Sequence, residues 1–130
     1  MNEERERKEM IIKYSELQAK LEALLKERNE ILEKIEEIED TLSSLEELKE
    51  NVDSLFSVGS GVYCWGKVMK ERFLVSIGAR VLVEVDKKDV VNILRKREDT
   101  LKSAIKEIEK EIENIVSQQK KLAEGIKKGS

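Results

Sequence analysis

Two long seven-residue repeats of apolar side chains limit this chain more than any other feature. Read from Met10 in alternating steps of four and three, the first takes in Met10, Tyr14, Leu17, Leu21, Leu24, Arg28, Ile31, Ile35, Ile38, Leu42, Leu45, Lys49 and Val52. Eleven of those thirteen are apolar. The second takes in Val91, Leu94, Glu98, Leu101, Ile105, Ile108, Ile112, Ile115, Gln119, Leu122 and Ile126, nine of eleven apolar. Such spacing lays a narrow apolar seam along a helix, and a narrow seam is covered by another helix rather than by a thick core. The four polar residues that interrupt the seams, Arg28, Lys49, Glu98 and Gln119, are of the kind that set register and orientation. The expected fold is mainly α: an antiparallel two-helix coiled coil with a small β element at its bend.

Composition agrees. Charged residues make up 41% of the 130 and aromatics 4%, while proline and histidine are absent, the vocabulary of long helices. The absence of histidine and of a cavity-forming core argues against an enzyme. No apolar run is long enough to cross a bilayer and no secretory hydrophobic region is present. Cys64, the single cysteine, cannot form an internal disulfide, so a cytoplasmic setting is expected. Residues 1–55 hold 17 acidic and 9 basic side chains, a net of −8, whereas residues 86–130 hold 9 acidic and 12 basic, a net of +3. An acidic helix folded along a basic one is complementary, which favours pairing and register more than stability.

The spacing predicts a first helix from about residue 3 to about residue 54. A second is expected after Asp86, whose carboxylate can cap free amides with Asp89 three positions on, and it runs to about Lys127. The organisation is thus 1–55, 56–85 and 86–130 within one structural unit. In the middle segment β-branched and aromatic residues cluster around Gly59, Gly61 and Gly78, which predicts two hairpins. The first pairs Leu55–Val58 with Val62–Val68, and the second pairs Phe73–Ile77 with Arg80–Val85. Met69 to Arg72 link them.

These strands carry apolar residues on both faces. Phe73, Val75 and Ile77 share one face with Leu74 opposite; Val81, Val83 and Val85 share one face with Leu82 opposite. Tyr63 and Trp65 point away from Val62, Cys64 and Val68. A sheet this small, with open edges, is not expected to bury itself within one chain. Oligomerisation is therefore expected through Val62, Tyr63, Trp65, Val68, Phe73, Leu74, Val75, Ile77, Val81, Leu82 and Val83.

Three segments, Val58-Gly-Ser-Gly-Val-Tyr63, Gly66-Lys-Val68 and Phe73-Leu-Val-Ser-Ile-Gly-Ala79 followed by Val81 to Val85, set between two heptad arms, resemble an α-type subunit of archaeal prefoldin. The resemblance covers essentially the whole chain. It implies a heterohexamer of two α-type and four β-type subunits, in which the hairpins form a β-barrel platform and the coiled coils hang from it. It also implies an ATP-independent holdase that holds unfolded polypeptides between the arm tips and passes them to a group II chaperonin. The chain departs from the pattern in its short first strand and in a tail that ends almost directly after the second helix. A divergent α-like subunit that self-assembles into filaments through the same hairpins is the alternative within the family.

In a back-folded hairpin the arm tip holds the start of the first helix and the end of the second. Counted from the bend, Tyr14 and Ile126 lie level. The candidate residues for binding unfolded protein are Met10, Ile11, Ile12, Tyr14, Leu122 and Ile126. Met10 and Tyr14 can finish the seam; a run of Met-Ile-Ile is broader than a seam needs, so Ile11 or Ile12 is left partly exposed. Other motifs are weaker. Gly59-Ser60-Gly61 lacks the lysine-containing continuation of a phosphate loop. Glu36, Glu37, Glu39 and Asp40 lack a calcium-loop glycine. Cys64 has no second cysteine or histidine for metal or thiol chemistry, and no cofactor is expected. Lys120, Lys121, Lys127 and Lys128 form a basic end, but overall acidity and the lack of stacking aromatics argue against nucleic acid. A structural coiled-coil or filament protein would explain the arms and sheet while leaving the apolar tip idle.

Overall fold

The computed structural model describes residues 2–128 and orders the elements α1 (Asn2–Glu47), β1 (Asp53–Gly59), β2 (Val62–Lys67), β3 (Arg72–Gly78), β4 (Val81–Asp86) and α2 (Lys87–Lys128). Two long helices with two small antiparallel hairpins between them are the fold class the repeats predict. Two compact units are distinguished: Met1–Ile35 with Asp99–Ser130, and Glu36–Glu98.

In the first unit the helical stretches run antiparallel. Gln18 is matched with Gln119 and Arg28 with Glu109, so residue numbers fall on one helix as they rise on the other. Apart from Tyr14, the heptad positions are the covered ones. Leu17, Ile35, Ile108 and Ile115 are buried, and Leu21, Leu24, Ile31, Leu101, Ile105 and Ile112 are half-buried. The polar interruptions are satisfied in pairs. Gln119 Nε2 donates to Gln18 Oε1 at 2.9 Å, and the Arg28 guanidinium donates to Glu109 Oε1 at 3.2 Å. This ion pair runs against the net charges, with its base on the acidic helix. Residue-by-residue matching, rather than bulk charge, holds this register.

In the second unit α1 stops at Glu47, short of the expected residue 54. Asn51 adopts a left-handed backbone (φ 60°), a conformation asparagine tolerates better than most residues. Its N–H donates to the Val68 carbonyl at 2.9 Å, and the Glu71 N–H donates to Glu50 Oε1. Hydrogen bonds to the hairpin segment have replaced the last turns of helix, which heptad spacing alone does not reveal. Lys49 and Val52, the last two residues of the first repeat, are accordingly exposed outside the helix. At the start of α2 the expected cap is present: the Asp89 N–H donates to Asp86 Oδ1 at 2.9 Å, satisfying one free amide.

β1 pairs with β2 and β3 with β4, each antiparallel, as two separate ribbons. Both turns have one form. A bulge glycine with positive φ (Gly59, Gly78) precedes two left-handed residues, Ser60-Gly61 in the first and Ala79-Arg80 in the second. Arg80 thus belongs to the turn, and β4 begins at Val81. Two non-glycine residues in left-handed backbone are strained, and this turn prefers Asn-Gly. Replacing Ala79-Arg80 by Asn-Gly should stabilise the protein by about 1 kcal/mol, read as a rise in thermal midpoint.

The core of this unit is built by one face of the second ribbon. Leu45, Val75 and Val90 are buried together, with Leu48, Phe73, Val83, Val85 and Leu94 packed around them. The register explains the choice: Phe73 faces Val85 and Val75 faces Val83 across the ladder, so four apolar side chains point the same way toward the helix ends.

Candidate functional site

Two exposed apolar surfaces stand out, one in each unit. In the first unit it lies where the beginning of α1 meets the end of α2. A glycine makes the closest approach possible: a Cβ on Gly125 would sit 2.9 Å from Met10 Sδ. Met10 therefore lies against the turn of α2 that carries Leu122 and Ile126, and all three are half-buried. Tyr14, on the seam, is 36% exposed, whereas Ile11 and Ile12 are 43% and 59% exposed. The six tip residues named from the sequence thus separate into a packed group (Met10, Leu122, Ile126), an intermediate Tyr14, and two isoleucines open to water.

The second surface is the hairpin pair. β1–β2 has no covered face. Leu55 pairs with Trp65 and Ser57 with Tyr63 on one side, and Phe56 pairs with Cys64 on the other; Leu55, Tyr63 and Trp65 are exposed by 54%, 62% and 71%. Phe56 lies over Gly66, where a Cβ would meet its ring at 3.2 Å. On the second ribbon Leu74, Ile77, Val81 and Leu82 are also exposed. The candidate assembly residues therefore divide. Val62, Tyr63, Trp65, Leu74, Ile77, Val81 and Leu82 are open, and Val68 is half-buried. Val75 is buried and Phe73 and Val83 are half-buried in the chain's own core. The expectation that the sheet is left uncovered within one chain is corrected for this face of β3–β4, because the helix ends cover it.

Some exposed residues were not singled out by sequence reasoning. Leu25, Leu32 and Val116 are apolar yet 42%, 37% and 48% exposed on the helices. Their signal was present: each sits one position after a seam residue. Gln18 was missed for the same reason, since it occupies such a flanking position and reaches Gln119 from there. On the opposite flank a shallow groove is lined by Lys13, Leu17, Lys20, Leu24, Glu111 and Ile115.

Among the described residues no group of three or more histidine, cysteine or acidic side chains could hold a metal ion. No described helix is long and apolar enough to cross a membrane. Cys64 is exposed, with its thiol beside the Trp65 carbonyl.

Comparison with known proteins agrees with this architecture. A filamentous PFD from Methanocaldococcus jannaschii, seen by cryo-EM, superposes with a TM-score of 0.70 at 23% identity, over 89% of this chain and 97% of that one. The prefoldin beta subunit from Thermococcus strain KS-1 superposes with a TM-score of 0.67 at 15% identity, over 95% and 90% of the two chains. At these identities the likeness is one of fold. No curated protein sequence matches. The model of the family described as "Prefoldin subunit" matches residues 17–128, from the first buried seam leucine to the end of α2. Two paired helices, two hairpins and this match lead to one conclusion: the chain belongs to the prefoldin subunit family, whose members are oligomeric, non-enzymatic chaperones.

Proposed function

We propose that the chain is an ATP-independent holdase subunit that captures unfolded polypeptides at the end of its helix pair and releases them to a group II chaperonin. Family membership supports a chaperone-type function in general. The observation that carries the finer reading is the exposure of Ile11 and Ile12 beside Met10 and Gly125. Unfolded chains expose short apolar segments of no fixed shape, and flexible apolar groups at a helix end accommodate them. The two-hairpin arrangement supports an α-type subunit joined to β-type subunits in a cytoplasmic heterohexamer. Changing Ile11 and Ile12 together to aspartate should weaken suppression of reduced-insulin aggregation about tenfold, through lost apolar contact and added desolvation cost, with assembly unchanged by light scattering. Unaltered suppression would sink the assignment.

A second reading, self-assembly into filaments through the hairpins, is favoured by the uncovered β1–β2 ribbon with Leu55, Tyr63 and Trp65 exposed together. Electron microscopy of the protein alone separates the two, since long filaments without a β-type subunit support this reading and small closed particles formed only with one support the first.

A further inference from the structure

Two backbone carbonyls of the β3–β4 ribbon accept hydrogen bonds from arginine side chains. Arg97, on α2, donates from its guanidinium to the Ser76 carbonyl, and Arg72 donates to the Glu84 carbonyl at 3.4 Å. In an antiparallel ladder the residue pairs alternate. One pair exchanges both of its bonds across the ladder, and the next turns its N–H and C=O groups outward. Ser76 faces Leu82 and Leu74 faces Glu84, two positions apart, so these two pairs are of one kind. Side-chain donors at a carbonyl of each mark that kind as the outward-turned one. The Ser76 carbonyl therefore belongs to the outer edge of β3, and in a ribbon of two strands each strand keeps one edge unpaired. Arg97 reaches this edge from the helix that covers the ribbon's other side chains. Val90, Ile93 and Leu94 belong to the shared core, and Arg97 follows Leu94 by three residues, which keeps it on the same face of α2. Charged side chains on open strand edges are a means by which proteins avoid unintended strand pairing. This bond is exposed to solvent, so water competes for it and it can be exchanged for another.

Resting on the reading above in which hairpins join subunits, we infer that Arg97 is a displaceable cap on the β3 edge. It occupies the Ser76 carbonyl in the lone chain and gives it up when a strand from a second copy of the chain pairs there. Three observations select that occupant. The outward groups of a strand edge are matched by the main chain of another strand. Leu74 and Leu82, on the ribbon face turned away from the helices, are exposed beside that edge, so an added ribbon gains apolar cover as well as hydrogen bonds. The chain itself supplies such a ribbon: β1–β2 is two-stranded, with Leu55, Tyr63 and Trp65 exposed. The cap thus sets a threshold for assembly, since each pairing at this edge must first break the bond from Arg97.

The test is sedimentation velocity of the full chain over a concentration series. Arg97→Met keeps the apolar stem and removes the donors, so it should tighten self-association by about fivefold, the worth of one ordinary hydrogen bond. Ser76→Pro removes the outward N–H beside the capped carbonyl while leaving the ladder intact. It should weaken self-association by about tenfold or more with an unchanged urea midpoint. A lowered midpoint would place the Ser76 main chain inside the ladder and overturn the cap. Lys88→Met removes one exposed cation from the same helix and should leave association as it was. Equal tightening by Lys88→Met and Arg97→Met assigns the effect to net charge and overturns the cap, as does unchanged or weaker association in Arg97→Met. Trp65→Asp, on the other ribbon, keeps the two readings apart. Loss of assembled mass in that variant, with Arg97→Met and Ser76→Pro both silent, upholds assembly through the hairpins and refutes the cap. No change in any of the variants refutes both.

Discussion

Val75→Asp should detach the β3–β4 ribbon from the helix ends and lower the stability of the protein by about 3 kcal/mol or more. Val75 is buried with Leu45 and Val90, and Leu48, Phe73, Val83, Val85, Val91, Ile93 and Leu94 pack around that trio. A carboxylate placed among these side chains loses its water without gaining an apolar contact. Leu74, the next residue, points to the opposite face and is 67% exposed; Leu74→Asp should change the stability of the isolated chain by no more than about 0.5 kcal/mol. Urea unfolding followed by circular dichroism measures both. The comparison separates core from assembly surface, because a Val75 variant that keeps its stability but loses assembled mass would show that this residue faces a neighbouring subunit.

Glu98→Leu should move stability the other way, raising it by about 1–3 kcal/mol. Glu98 occupies a seam position of α2 and is 3% exposed. Its Oε1 lies 3.5 Å from the Arg95 guanidinium, which is itself largely exposed and attracts it through solvent. Replacing a buried carboxyl side chain by an apolar residue of similar size removes its desolvation cost while keeping the packing. The same change should broaden the choice of helix register, since a polar seam residue penalises misaligned pairings. A rise in thermal midpoint together with heterogeneous disulfide trapping of cysteine pairs placed across the seam is the expected result. A fall in midpoint would show that the carboxylate stabilises the pairing.

Much of this architecture can be read directly from residue order, because its main determinants are periodic. Leu17, Ile35, Leu42, Leu45, Ile108 and Ile115 are buried at the positions the four-three spacing picks out, and Asp86 caps α2 because capping depends on a local side chain and a local amide. What could not be read depends on contacts distant in sequence. The end of α1 at Glu47 is set by Asn51 bonding to Val68, seventeen residues on. The burial of Phe73 and Val83 follows from helix ends that a strand pattern does not announce. At the candidate site, the openness of Ile11 and Ile12 followed from a surplus of apolar residues over seam positions. The intimacy of Met10 with Gly125 did not, because a lone glycine in a helix does not name its neighbour.

The matched glutamines and the arginine–glutamate pair also carry a kinetic consequence. Arg28 and Glu109 are 81 residues apart in the chain, and Gln18 and Gln119 are 101 apart. The hairpins, by contrast, join residues from 3 to 14 positions apart. Loop closure costs more as the enclosed segment lengthens, so local ribbons form early and the seam closes progressively toward larger separations. The contact between Met10 and Gly125 encloses a still longer segment, with 115 positions between the two residues' numbers. A seam that zips outward from the hairpins reaches this contact after the matched pairs, so the apolar surface proposed to receive unfolded chains is expected to assemble after the rest of the seam.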